Sequence, residues 1–583
     1  MALDSVLPAA SLPNAAETHP SLSFRLEANS CAENLIPPGF RFAGTVDGYA
    51  LYQFGPVVAF GSAPCRSIED YILQFSGVGA IAIAIPQAPD NRPDHVLVFS
   101  DVYGLTDYFW TTDGQSVTVS REIASLVDDT TAIDEVSVFD LFFRGVVPFE
   151  FTAYSGVKKN MPLSYLRVGL RTHTSVEYRT VVPASDPTRT VQEFRESMEA
   201  SLAVLGKHYA NPLLYFSGGS DSTALLRVLP SGFQQFGAVH FHNVDNQLQE
   251  AYDRARQLVT LSVVQGTMAG RCRDLGRMPG AIHAGFRAFG QMAEHAQSHG
   301  HDCILTGQNA DNVSQLGNTR IVTPRNILRN LLLHGTTGNV AKTYLTRTVT
   351  NHFEQVSRRL RRFYCDHILT YRGEEPGLSM LKVFASYCNS NPFYRDFASF
   401  GFLPESVHRR WWERLEANAT LVNSLEGLSL RQKMLVLFSR CYIIAGDAKV
   451  IVTTGAAAGL PSWQVYTTPP VYRYFFNYRP PARDILKPKR TIREFANVRR
   501  APAVSVESIV NDQQRVRRFA GRDVYPVNPE APFEIELQEL QSLFPWIHTG
   551  SLASVERYAR PRENTISHIY GLVTKDFTPR LSP

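Results

Sequence analysis

The 583-residue sequence has no apolar run long enough to span a bilayer, and it does not begin with the basic-then-apolar order of a signal peptide; neither a membrane span nor export is expected. Its seven cysteines are odd in number and scattered, without the paired spacing of a zinc site or the density of a disulfide framework. Reduced thiols and a cytoplasmic location are the expectation. A formal net charge of +4 makes no electrostatic case for a nucleic-acid partner. No internal repeat or low-complexity segment is evident, which argues against a repeat architecture. What remains is an ordinary globular composition, 44% hydrophobic and 19% charged, in a chain long enough for two or more domains.

Residues 1–38 are rich in Ala, Ser, Asn and Pro and read as a flexible extension. From about 39 to 190 the pattern is strand-like: "YALYQFG", "VGAIAIAI", "HVLVFSD", "YFWTTD" and "SVTVS" are short apolar or alternating runs separated by turn residues. Polar residues and prolines between Pro183 and Phe194 mark a boundary. Beyond it, over 191–583, strands alternate with helical segments, as in "FGAVHFHNV" followed by "QLQEAYDRARQLV", which predicts an α/β parallel sheet. Residues from about 319 to 440 read as a large helical insert.

The stretch "NPLLYFSGGSDSTALLRVL", Asn211–Leu229, carries the most chemistry. A buried strand over Pro212–Phe216 leads through a glycine turn into helical spacing from Thr223. Gly218 and Gly219 admit backbone angles closed to other residues, and the following helix aims its unpaired N–H groups at the turn. A tight connection alone accounts for such a turn; an anion site is the functional reading. The motif Ser217-Gly218-Gly219-Ser220-Asp221-Ser222 resembles the pyrophosphate-binding PP-loop of the ATP pyrophosphatase family, and lacks the Lys-Ser/Thr pair of a kinase-type loop. An Asp beside phosphates is unfavourable unless a divalent cation intervenes, so Asp221 implies Mg2+ with ATP. In "CILTGQNADN", Gly307 belongs to a second glycine turn, and Ala310-Asp311 resembles the segment that supplies the second magnesium contact in asparagine-synthetase-like enzymes. The alternative for Asp311 is a plain turn residue. Gln308, Asn309 and Asn312 depart from the family's Glu, Gly and Glu. In "ILKPKRTIREFA", Lys489, Ile492 and Arg493 resemble the family's Lys-x-x-Leu-Arg near the α-phosphate; basic residues on a solvated helix end are the alternative.

The resemblance to asparagine-synthetase-like enzymes covers approximately Phe40 to Ala496. It implies a degenerate Ntn-hydrolase-like β-sandwich followed by a PP-loop domain of the adenine nucleotide alpha hydrolase type. The family's nucleophilic cysteine at position 2 is Ala2 here, so no thioester with glutamine is expected, and nothing around Cys31 resembles the family's Cys-Gly start. That loss is shared with β-lactam synthetases and lasso-peptide macrolactam synthetases. The implied activity is adenylation of a substrate carboxylate, with release of pyrophosphate, for attack by an amine. Lasso-peptide macrolactam formation, with a precursor peptide and a leader protease or leader-binding protein as partners, is the leading case. A β-lactam synthetase, an ammonia- or amine-dependent amidation, and a catalytically silent scaffold are the alternatives.

Where the family carries Gly-Val-Glu-x-Arg-x-Pro-Phe-Leu-Asp, this chain has "AGLPSWQVYTT", with Pro461, Trp463 and Thr468 replacing Glu, Arg and Asp; ordinary asparagine synthesis is disfavoured. Arg358, Arg359, Arg361 and Arg362 form either a solvated basic face or a surface for an acidic peptide. The aromatics Trp463, Tyr466, Tyr472, Tyr474, Phe475, Phe476 and Tyr478 are read as core or as the lining of an apolar pocket.

Overall fold

The computed structural model describes residues 22–61, 65–89, 91–242, 253, 255, 258–265, 286–315, 378, 381, 385, 404–443, 447–479, 489–497, 532–547, 566 and 568–575. The arginines at 358–362, Ala2 and most of the expected helical insert lie outside them. Within the described part of that insert, Glu405–Asn423 and Leu430–Phe438 are helices.

The molecule is mixed α/β, with a β-sandwich-like N-terminal region and a parallel five-stranded sheet. All five strand runs picked out in the N-terminal region are strands: Tyr49–Phe54, Ile81–Pro86, His95–Ser100, Phe109–Thr112 and Ser116–Ser120. They belong to one four-stranded and one six-stranded sheet, whose strand pairs are antiparallel. In the Ile81–Pro86 strand the alternation of Ile and Ala is a division of labour between two faces. Ile81, Ile83 and Ile85 join the sandwich core with Val117 and Val119, while Ala82 and Ala84 face a second core with Phe139 and Phe142. Both faces are buried, so the strand reads as one apolar run. Part of the expected N-terminal extension is ordered: Ser23–Glu27 is a strand pairing antiparallel with Ser116–Ser120, and Leu22, Phe24 and Leu26 are buried in the sandwich. Its alternating apolar residues face the sandwich core, and that pattern outweighs the Ala/Ser/Pro composition around it.

The parallel sheet runs in the order Leu261–Gln265, Gly237–His242, Pro212–Tyr215, Cys303–Thr306, Ser462–Gln464. The chain starts at the Pro212–Tyr215 strand, builds outward on one side, then returns to build on the other. The strand order therefore reverses between Pro212–Tyr215 and Cys303–Thr306, and such a reversal opens a crevice at the carboxyl ends of the two strands. No helix among the described residues is long and apolar enough to cross a membrane.

The two halves share one core. Tyr103 of the sandwich lies 4.9 Å from Tyr472, and Phe60 lies 5.9 Å from Trp463, ring centre to ring centre. The C-terminal helical turn brings the buried His568, whose Nε2 has no hydrogen-bond partner. Burial depresses its pKa to about 3. The unfolded chain binds a proton there near pH 6.5 whereas the fold does not, so His568 lowers stability as pH falls from about 6.5 towards 3, by up to ~1.4 kcal/mol per pH unit. Buried Asp101, raised by desolvation to about 6, opposes this over the part of the range in which the fold holds its proton more tightly. Comparing urea midpoints of wild type and His568→Met from pH 7 to 4 isolates the histidine: the variant is expected to lose less stability on acidification, and parallel curves would contradict the assignment.

Candidate functional site

The crevice at the strand-order reversal is where the two acid-bearing loops meet. Gly218 takes a φ of +75°, the left-handed geometry that glycine allows; Gly219 has an ordinary φ of −69° and stands as the cap residue of the helix Ser220–Val228. The helix thus begins at Ser220, three residues before the spacing suggested, and Ser220, Asp221 and Ser222 form its first turn. Their leading N–H groups have no partner within the helix. The hydroxyls of Ser217 and Ser222 lie 3.2 Å apart, Ser222 donates to the Gly219 carbonyl at 3.3 Å, and Ser220 donates to Asp221 Oδ1 at 3.1 Å.

The second loop leaves the neighbouring strand at Thr306. Gly307 matters for space: a Cβ there would sit 3.1 Å from the Ser222 nitrogen and 3.2 Å from the Asp221 carbonyl carbon, so the two loops touch backbone to backbone. The left-handed residue in this loop is Asn309, with φ +65°. Asp311, expected in a glycine turn, lies instead in the first turn of the short helix Ala310–Gln315, because Asn309 makes the turn two residues earlier.

Lys489 joins the two acids. Its ammonium is 2.5 Å from Asp221 Oδ2 and 2.6 Å from Asp311 Oδ1, while its side chain is only 8% exposed. One cation therefore already sits between the carboxylates. Burial pushes the Asp221 carboxyl up, and neighbouring Asp311 adds to this, against the opposing pull of Lys489. Lys489 precedes the helix Arg490–Ala496, which packs on the Ser220–Val228 helix, with Arg227 donating to the Phe495 carbonyl at 3.5 Å. Arg493 is half-buried one turn further along; among the described residues it makes no ion pair with either acid. The basic segment is thus docked against the loop, with Lys489 rather than Arg493 at the carboxylates.

Sequence reading missed two side chains here. Tyr466 Oη donates to the Asp221 carbonyl at 3.1 Å, and Gln464 Oε1 accepts from Asn309 Nδ2 at 2.5 Å. Both come from the segment read as a departure from the family, with Tyr466 read besides only as core or pocket lining, and a polar residue at every second position of an otherwise apolar run was the available signal. Trp463 is fully buried against Phe60 and Tyr209, and Tyr466, Tyr472, Tyr474, Phe475 and Phe476 are all at most 2% exposed, which makes these aromatics core.

Among the described residues no group of three or more His, Cys, Asp or Glu side chains is placed to hold a metal ion. The two carboxylates nevertheless suit magnesium, which is commonly held by one or two protein carboxylates with phosphate oxygens and water completing its shell. They already converge on one cationic atom, beside unpaired N–H groups suited to phosphate. No protein-family model matches the chain, and no curated protein matches it.

Proposed function

We propose that the chain is an AMP-forming carbon–nitrogen ligase, with a degenerate glutamine-amidotransferase-like N-terminal region and a PP-loop-type synthetase region. Its leading specific role is lasso-peptide macrolactam formation in natural-product biosynthesis. The observation that carries the reading is the convergence of Asp221 and Asp311, from strands flanking the strand-order reversal, on one cation position beside the loop Ser217–Ser222. Bound there, magnesium would neutralise charge on the ATP phosphates and on the departing pyrophosphate. The residues of the chain do the rest. Gly218 and Gly219 let phosphate approach the main chain, the first turn of Ser220–Val228 offers N–H donors, and Lys489, paired here with both acids, would turn its positive charge to the phosphates once a metal ion takes its place between the carboxylates. In this reading the substrate carboxylate takes AMP, pyrophosphate leaves, and an amine then displaces AMP with loss of a proton.

A silent scaffold is the second reading, favoured by the Lys489 ammonium at the cation position. Incubating the full chain with ATP, Mg2+ and candidate precursor peptides separates the two. Pyrophosphate release with a product lighter by one water supports ring closure, and a product that has gained an amine points to the intermolecular or ammonia-dependent alternatives. No release with any carboxylate supports the scaffold. Glutamine should yield no glutamate in any arm, because Ala2 offers no thiol and Cys31 is a half-buried residue beside a short 3-10 turn. Glutaminase activity abolished by Cys31→Ala would contradict this.

A further inference from the structure

A single segment holds both acid loops. The strand Ser462–Gln464 and the turn Val465–Thr467 that follows it carry Gln464 and Tyr466, two residues apart and each at most 2% exposed. Tyr466 reaches the first loop at the Asp221 carbonyl. Gln464 reaches the second through Asn309, and its own Nε2 donates to the Ala448 carbonyl at 2.8 Å. Asn309 in turn accepts from Asn312 Nδ2 at 2.6 Å, and its carbonyl accepts the Val313 N–H at 2.9 Å, closing the first turn of the helix that bears Asp311. The chain of amides from Ala448 to Asn312 is neutral, buried for most of its length, and ends one residue beyond Asp311.

We propose that Gln464 and Tyr466 are positioning residues that set the separation of Asp221 and Asp311, and thereby select a small divalent cation. This rests on the metal-site reading above. The physical reason is geometric tolerance: magnesium demands near-octahedral oxygens at about 2.0–2.1 Å, whereas calcium accepts a looser shell at about 2.3–2.6 Å. Loosening one of two loops that share a cation therefore penalises the smaller ion more. Tyr466 acts on the backbone of Asp221 and Gln464 on the turn before Asp311, so neither need touch the ion.

The test uses the full chain and α,β-methylene ATP, a non-hydrolysable analogue, with binding measured calorimetrically in Mg2+, in Ca2+ and in EDTA. Tyr466→Phe removes one hydroxyl and is the primary variant; Gln464→Met is the second, and thermal melts accompany both. Outer-shell changes of this kind typically weaken metal binding by about 10-fold or more, so analogue binding in Mg2+ should fall about 10-fold in Tyr466→Phe while binding in Ca2+ changes less than about 2-fold. A general loosening of the fold would weaken both alike. Equal losses in the two ions, or no loss in either, overturns the positioning role. Analogue binding by wild type that is as tight in EDTA as in Mg2+ overturns the metal site itself, and the positioning role with it.

Discussion

Arg414→Ala is expected to destabilise the chain by about 3–5 kcal/mol, the usual cost of stripping one partner from a buried ion pair. Arg414 donates through both terminal nitrogens to Asp134, at 2.7 and 2.9 Å, and the two side chains are 18% and 8% exposed. The pair ties the helix Glu405–Asn423 to the helix Glu135–Arg144, alongside Trp411, whose ring nitrogen donates to Asp140 at 2.9 Å. Arg414 also stacks over the Phe151 ring at 3.9 Å. Burial alone would raise the Asp134 carboxyl, but Arg414 and Ser137 overcome that and hold it below the usual range. Its contribution is therefore present above the unfolded carboxylate pKa and lost as pH falls through the lower folded value. The exposed pair Arg195–Glu199, 54% and 33% exposed at 2.7 Å, is the contrast: breaking it should cost about 0.5 kcal/mol or less. Urea unfolding of both variants decides the matter. A cost under about 1 kcal/mol for Arg414→Ala would contradict the buried-pair account, and Asp134→Ala/Arg414→Ala should cost less than the sum of the single changes because no charge is left stranded.

Asp221→Asn and Asp311→Asn are each expected to lower turnover roughly 100-fold, on the order of 3 kcal/mol of lost charge stabilisation at the departing pyrophosphate. Each keeps side-chain size. The melting temperature should hold or rise slightly for Asp221→Asn, because burial and the neighbouring Asp311 already disfavour its charge in the fold. Magnesium-dependent pyrophosphate release, measured beside thermal unfolding, checks both. Wild-type turnover in either variant, or a loss explained by unfolding, would remove that residue from the site.

Strands were legible where both faces are buried, because apolar runs such as Ile81–Pro86 and Cys303–Thr306 need no partner to be recognised. Ser23–Glu27 was not, since its inward alternation of Phe24 and Leu26 is short and embedded in polar composition. At the site, the motif around Asp221 was readable because glycine and helix start are local features. The meeting of Asp311 and Lys489 with Asp221 depends on strand order, which local pattern does not carry; there only resemblance put them in one site. Asn309 in place of Gly307 as the left-handed residue, and the grip of Gln464 and Tyr466, arise from loops packing across the sheet; the alternation of polar residues in that segment marks two side chains but not the loops they hold.

The central claim is that Asp221 and Asp311 share one divalent cation, and coupling between them tests it most directly. Binding of α,β-methylene ATP with Mn2+ is measured by electron paramagnetic resonance for wild type, Asp221→Asn, Asp311→Asn and the double variant. Ligands of one ion act as a unit, so each single change should weaken binding about 10-fold or more and the double change little further. Losses that simply add, or singles that bind as wild type does, would contradict a shared cation.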